Sequence, residues 1–361
     1  MKYKKSDLFY VYVYLNVLCK GIGLSNDSSA YFFLIILGGI ALVLKMFEDK
    51  YTRKEFIIIS ILIAIGLMSV LLTRKPTLMI TCLCIAGMKN INIDSLFKGM
   101  YKLRLATFII VVLSSLFGII PNESVEMWRN GAFETRYSLG FGHPNTLQLS
   151  LFILLALHIY VKYDKLKFID YVLMFASNLF IYHYSISRTG FIAINLLIIL
   201  CFISKLNINI IKKTIINSPK YVYIALLIFS FVSGMLYGKY EIFNKLNSIL
   251  TGRLAYSNYY LSNYGFTLFG NNLATDTNAI FDNGYIYMYI QFGILGFILL
   301  TWFFFKIFNN VKNKKDIRKS ILILLFLIYI FTESITPNIF MNIILFFSAP
   351  TIFKNMKEEQ S

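Results

Sequence analysis

The chain has 361 residues, of which 57% are hydrophobic and 17% aromatic, with a mean hydropathy of +0.65. Charged residues make up 15%, well under the roughly 25% of soluble domains, which excludes a soluble globular fold and points to a polytopic membrane protein. The net charge of +17 is accounted for by basic loops that meet anionic lipid headgroups, not by nucleic acid.

In chain order, Lys2, Lys4 and Lys5 precede an apolar run with no small-residue cleavage site after it, which predicts an uncleaved first helix. Apolar runs then predict about twelve transmembrane helices, at 8–24, 30–47, 55–73, 76–92, 104–120, 141–161, 168–185, 189–204, 221–237, 283–308, 320–335 and 338–353. The expected fold is one all-α integral membrane domain over 1–361, with two long extracytoplasmic loops at about 121–140 and 238–282. Cys19, Cys82, Cys84 and Cys201 lie in apolar stretches without metal-site spacing and read as small core residues.

Alternating the loops between two sides puts 26 of the Lys and Arg residues on one side and 8 on the other. The positive-inside bias then places both termini in the cytoplasm. Only 3 of the 26 inner cations are arginine, against 5 of the 8 outer ones: Arg74, Arg129, Arg136, Arg188 and Arg253. Guanidinium is a planar, permanently charged fork suited to phosphate and carboxylate. The pattern points to a grip on an anionic group at the outer face.

The first long loop runs into the sixth predicted helix through Glu134-Thr-Arg136-Tyr-Ser-Leu-Gly140-Phe-Gly142-His143-Pro144-Asn145. Gly140, Gly142 and Pro144 allow the backbone to bend there. Arg136, His143 and Asn145 then face a cavity, or they form a solvated helix N-terminus. Arg188 sits in a tight turn with Ser187 and Gly190, where an ionisable group at membrane depth is functional or snorkels to headgroups. Arg253 opens a stretch with Tyr256, Tyr259, Tyr260 and Tyr264 at helical spacing, which predicts a Tyr-rich interfacial helix with an anion site at its start. Asp282, before Asn283 and Gly284, reads as a general base or as a helix N-cap. Glu333, near the end of an apolar run, faces a cavity or pairs with an arginine. There is no Asp-X-Asp and no Gly-rich phosphate loop with a following Lys, which argues against a metal-nucleotide glycosyltransferase of soluble type and against an ATP-driven pump.

These features together resemble the O-antigen ligase and polysaccharide polymerase superfamily, and most closely the Wzy-type repeat-unit polymerases of bacterial capsule and O-antigen. The resemblance rests on the span count, the two outer loops and their arginines. It also rests on Asp282, Asn283, Ile286 and Gly293, which match the ligase spacing with Asp in place of His and Ile in place of Leu. Phe-Gly-His143-Pro-Asn145 and Ser-Arg188-Thr-Gly also look like polymerase segments. The resemblance implies a membrane-embedded GT-C-like glycosyltransferase without cofactor or metal. Its donor and acceptor are undecaprenyl-pyrophosphate-linked oligosaccharides, and membrane lipid, a flippase and a chain-length regulator are the expected partners. It further implies Asp282 or His143 as base, Arg136, Arg188 and Arg253 on the pyrophosphate, and Asn145, Tyr256, Asn283 and Glu333 in support. The competing expectations are a glycan ligase of the same superfamily and a lipid-linked oligosaccharide flippase or transporter.

Overall fold

The structure is a computed structural model that describes residues 4–22, 29–129, 131–206, 208–273, 276 and 281–353. Five helices, α1 (Lys5–Gly21), α2 (Ser29–Glu48), α3 (Arg53–Thr73), α4 (Thr77–Ala86) and α5 (Ile93–Leu116), precede strands β1 (Ser124–Arg129) and β2 (Ala132–Tyr137). There follow α6 (Pro144–Lys162), α7 (Phe168–Ser185), α8 (Arg188–Lys205), α9 (Asn209–Asn217) and α10 (Pro219–Leu236). The chain continues with α11 (Glu241–Ile249), α12 (Arg253–Asn263), α13 (Gly284–Lys314), α14 (Ile317–Thr332) and α15 (Ala349–Ile352), with 3-10 turns at Tyr163–Lys165 and Ile343–Ser348. Contacts divide the chain into two compact units. Among the described residues, the first comprises those within 1–49 and 90–208, and the second those within 50–89 and 209–355.

Among the described residues, five helical segments are long and apolar enough to cross a membrane: Arg53–Thr73, Pro144–Lys165, Arg188–Lys205, Pro219–Leu236 and Gly284–Lys314. Large apolar side chains on α3, such as Phe56 and Leu71, and on α8 and α10 point outward, which suits lipid and not water. The fold is therefore largely helical, as a membrane-embedded protein requires.

Local chemistry sets the helix starts. The Thr52 side chain accepts from Glu55 N–H (3.3 Å) while the Glu55 carboxylate accepts from Thr52 N–H (2.8 Å), a reciprocal cap that opens α3. Asn92 caps α5 through Ser95 N–H (2.8 Å). That cap moves the helix start to Ile93, eleven residues before the expected 104, because the first turns carry Lys98 and Lys102 and the apolar run begins only after them. Arg104, the first residue of the predicted span at 104–120, instead lies inside α5 and is buried.

Two predicted spans are not long helices. The run at 76–92 gives the ten-residue α4, which stops at Gly87. The run at 338–353 gives a six-residue 3-10 segment and the four-residue α15. The Thr81 hydroxyl joins the two pieces, donating to Pro337 O (2.5 Å) and accepting from Ile339 N–H (3.2 Å).

The segment at 121–140 is a β-hairpin, not an open loop. Strands β1 and β2 pair antiparallel with Val125 opposite Arg136, Met127 opposite Glu134 and Arg129 opposite Ala132. The last pair leaves two residues, Asn130-Gly131, for the connection. That is the composition hairpin turns favour, and Gly131 has φ +85°. The side chain of Arg129 lies outside the described residues.

In the second unit α13 is broken at Gly293, which has φ 66° and ψ −172°. The break orphans backbone groups, and the segment 267–271 supplies their partners. Ile290 O accepts from Asn271 N–H (3.1 Å), while Ile294 N–H and Leu295 N–H donate to Thr267 O (2.9 Å) and Leu268 O (3.0 Å). A side chain at Gly293 would meet the Leu268 carbonyl oxygen at 2.7 Å, so this close approach requires glycine.

Candidate functional site

The candidate residues fall into two clusters, one in each unit. In the first unit, β2 and the starts of α6 and α8 carry them. Alternation along β2 puts Glu134 and Arg136 on one face of the hairpin. Arg136 is buried at 4% exposure. Its Nε donates to Ser185 O (2.8 Å) at the end of α7, and its Nη2 donates to Asn145 Oδ1 (2.6 Å) in the first turn of α6. Its Nη1 lies 3.8 Å from the Met127 thioether, a weak acceptor. Arg188 begins α8 with its side chain 44% exposed, and its Nη2 lies 3.5 Å from Glu134 Oε1. Arg136, Asn145, Glu134 and Arg188 thus adjoin.

His143 belongs to the same cluster. It is the N-cap of α6, with Pro144 at the first helical position, and its Nδ1 accepts from Asn145 N–H (3.1 Å). With Nδ1 engaged by the cap, the neutral imidazole carries its proton on Nε2. Gly140 and Gly142 take the left-handed conformations (φ 84° and 71°) expected of the bend leading into this helix.

In the second unit, Arg253 is the organising residue. It starts α12, the Tyr-rich helix predicted from the aromatic spacing, behind Gly252 at φ 89°. Its side chain is 6% exposed. Its Nε donates to Thr332 O (3.1 Å) at the last residue of α14, and its Nη1 to Leu250 O (3.1 Å) and Thr251 Oγ1 (2.6 Å). Its Nη2 faces two carboxylates, Asp282 Oδ2 at 3.7 Å and Glu333 Oε1 at 3.8 Å. The expected pairing of Glu333 with an arginine is therefore met. A pyrophosphate at Arg253 would have to displace these carboxylates.

The cap of α13 is Asn283, not Asp282: Asn283 Oδ1 accepts from Tyr285 N–H (3.0 Å) and Ile286 N–H (3.3 Å). The N-cap reading of Asp282 is thereby corrected, since its neighbour satisfies the helix. Asp282 keeps 23% side-chain exposure and packs with Tyr256, Ser257, Tyr260, Phe281 and Asn283 around a gap too small to admit water. The Tyr260 and Phe281 rings stack at 3.5 Å beside it. Farther along α12, the hydroxyls of Tyr259 and Tyr264 donate to Asp276. The 2.6 Å bond from Tyr264 pushes its phenol up to about 12, because the carboxylate opposes phenolate formation.

Sequence reasoning passed over Ser185, Gln148 and Asn178, which stand behind Arg136. The signal was present: each is polar inside an otherwise apolar helix, where an unpaired amide is costly. No family model matches the chain, and no curated protein or solved structure matches it significantly.

Proposed function

We propose that this chain is a membrane glycosyltransferase of the Wzy polymerase type. In this reading it joins undecaprenyl-pyrophosphate-linked oligosaccharide repeat units at the outer face of the bacterial cytoplasmic membrane, with about twelve membrane-embedded segments in a GT-C-like arrangement and both termini inside. The observation that carries the reading is Asp282: a partly exposed carboxylate that leaves capping to Asn283, faces Arg253 at 3.7 Å and stands beside the stacked rings of Tyr260 and Phe281.

Asp282 accepts the proton of the acceptor hydroxyl, and that oxygen attacks the anomeric carbon of the donor. The bond from this carbon to the pyrophosphate oxygen breaks with inversion. The carrier leaves as undecaprenyl pyrophosphate. Arg136 and Arg188, which adjoin in the first unit, are assigned to pyrophosphate binding on the chemistry of guanidinium toward phosphate. Charge-assisted hydrogen bonds of this kind contribute on the order of 1.5–3 kcal/mol each. Arg253 positions Asp282 in this scheme, with Glu333 as its second anionic partner. A flippase delivering repeat units and a chain-length regulator are the natural partners.

One observation favours a second reading. Broken helices such as α13 mark substrate sites in many transporters. Here the backbone of 267–271 fills the break, which supports a rigid scaffold over an ion site. The deciding experiment is the length of glycan on the lipid carrier in a deletion strain, resolved by gel and mass spectrometry. Single repeat units are expected. Long chains retained on the carrier would indicate a ligase, and repeat units confined to the inner leaflet a flippase.

A further inference from the structure

A polar chain runs through the interior of α6, α7 and α8. Gln148, Asn178 and Ser185 are each fully buried, and a buried amide persists only where both of its ends are hydrogen-bonded. The direction of the chain is fixed by a backbone carbonyl at one end. Phe191 O can only accept, so Asn178 turns Nδ2 toward it (3.1 Å), and the same Nδ2 reaches Asn195 Oδ1 (3.2 Å). Asn178 Oδ1 is then the acceptor for Gln148 Nε2 (2.7 Å). That leaves Gln148 Oε1 to accept from Ser185 Oγ (2.8 Å). With its proton committed to Gln148, Ser185 Oγ accepts from Ser187 N–H (3.2 Å).

The end point is the turn at 185–187, which contains Ile186 at φ 45°, an uncommon conformation for a β-branched residue that surrounding contacts must enforce. Two arginines depend on this turn. Ser185 O receives Arg136 Nε, and Arg188 follows Ser187 as the first residue of α8.

We propose that Gln148 is a positioning residue: through Ser185 it fixes the turn that orients the guanidinium groups of Arg136 and Arg188. Its kinetic consequence rests on the pyrophosphate role given to those arginines above, whereas the geometric consequence does not. A glutamine that served only to join helices would affect stability and leave the arginines alone.

Ser185→Ala removes one oxygen and keeps the carbonyl that Arg136 binds, so it is the smaller perturbation beside Gln148→Leu. Both are measured in purified full-length protein, alone and in an Arg136→Lys background. Turnover of lipid-linked repeat units should fall about ten- to a hundredfold in either variant, the scale of a small misplacement of a binding group. In the Arg136→Lys background the same substitutions should add clearly less than they cost in wild type, since only the route through Arg188 remains. Effects that multiply would overturn the proposal. An activity-free readout stands beside this. In protein labelled with nitrogen-15 at arginine, the Arg136 Nε–H signal, assigned by its loss in Arg136→Lys, should exchange with water at least tenfold faster in Ser185→Ala. Unchanged exchange would overturn the positioning role. Should wild-type protein polymerise no lipid-linked unit, the functional reading fails and the exchange measurement still decides this one.

Discussion

Asp282 and Arg253 face one another across 3.7 Å, and the residue next to Asp282, not Asp282 itself, caps the following helix. Two adjacent residues of similar shape therefore have separable roles. Asp282→Asn should abolish long glycan chains and leave the unfolding temperature nearly unchanged. Asn283→Ala should instead lower stability by about 1 kcal/mol through loss of the cap, and chains should still be made. Gel analysis of glycan length, paired with thermal unfolding in detergent, separates the two. Full-length chains from Asp282→Asn would remove this residue as the base.

Arg253 stands between two carboxylates with almost no exposure. Replacing it with Met leaves both acids beside each other without a cation, and should cost about 3 kcal/mol or more in stability. Adding Glu333→Gln should recover part of that loss. Equal unfolding midpoints for the single and double variants would show that the carboxylates do not depend on Arg253.

Arg188 is more exposed than Arg136. Its 3.5 Å contact with Glu134 is worth at most about 1 kcal/mol at this exposure. Arg188→Lys should therefore leave stability within that range while shortening the glycan severely, since an ammonium cannot reproduce the bidentate grip of a guanidinium. Wild-type chain lengths in Arg188→Lys would argue against the clamp.

Alkaline pH offers a test of the Tyr264–Asp276 bond. The folded phenol holds its proton up to about 12, above its ordinary value near 10. The stabilisation is thus complete below pH 10 and is lost as pH rises toward 12. Tyr264→Phe should be less stable than wild type at pH 9, and the gap should narrow between pH 10 and 12. A gap independent of pH would mean that the bond does not govern the titration.

Apolar length made most helices legible, and the spacing of Tyr256, Tyr259, Tyr260 and Tyr264 placed α12 to within a residue of its end. Apolar length also misled. The runs around α4 and α15 are as apolar as the longer helices, yet they stop short because glycine and internal hydrogen bonds such as those of Thr81 end the helices. Asp282-Asn283 could not be resolved from sequence because either residue can cap, and the choice depends on where Arg253 lies in space. The hairpin was legible in principle from Asn130-Gly131 between alternating residues. The buried chain behind Arg136 was not, since Gln148, Asn178 and Ser185 come from two helices and meet only after folding.

The splint across the break in α13 bears on how this protein is handled at the bench. Mapping which side of the bilayer a segment occupies depends on inserting an epitope into it without disturbing the fold. The tip of the hairpin at Gly131 has open space around it and suits such an insertion. The segment at 267–271, although part of the longest connection, is stitched to α13 by backbone hydrogen bonds on both sides of Gly293, so a tag placed there would unravel the helix whose position it was meant to report.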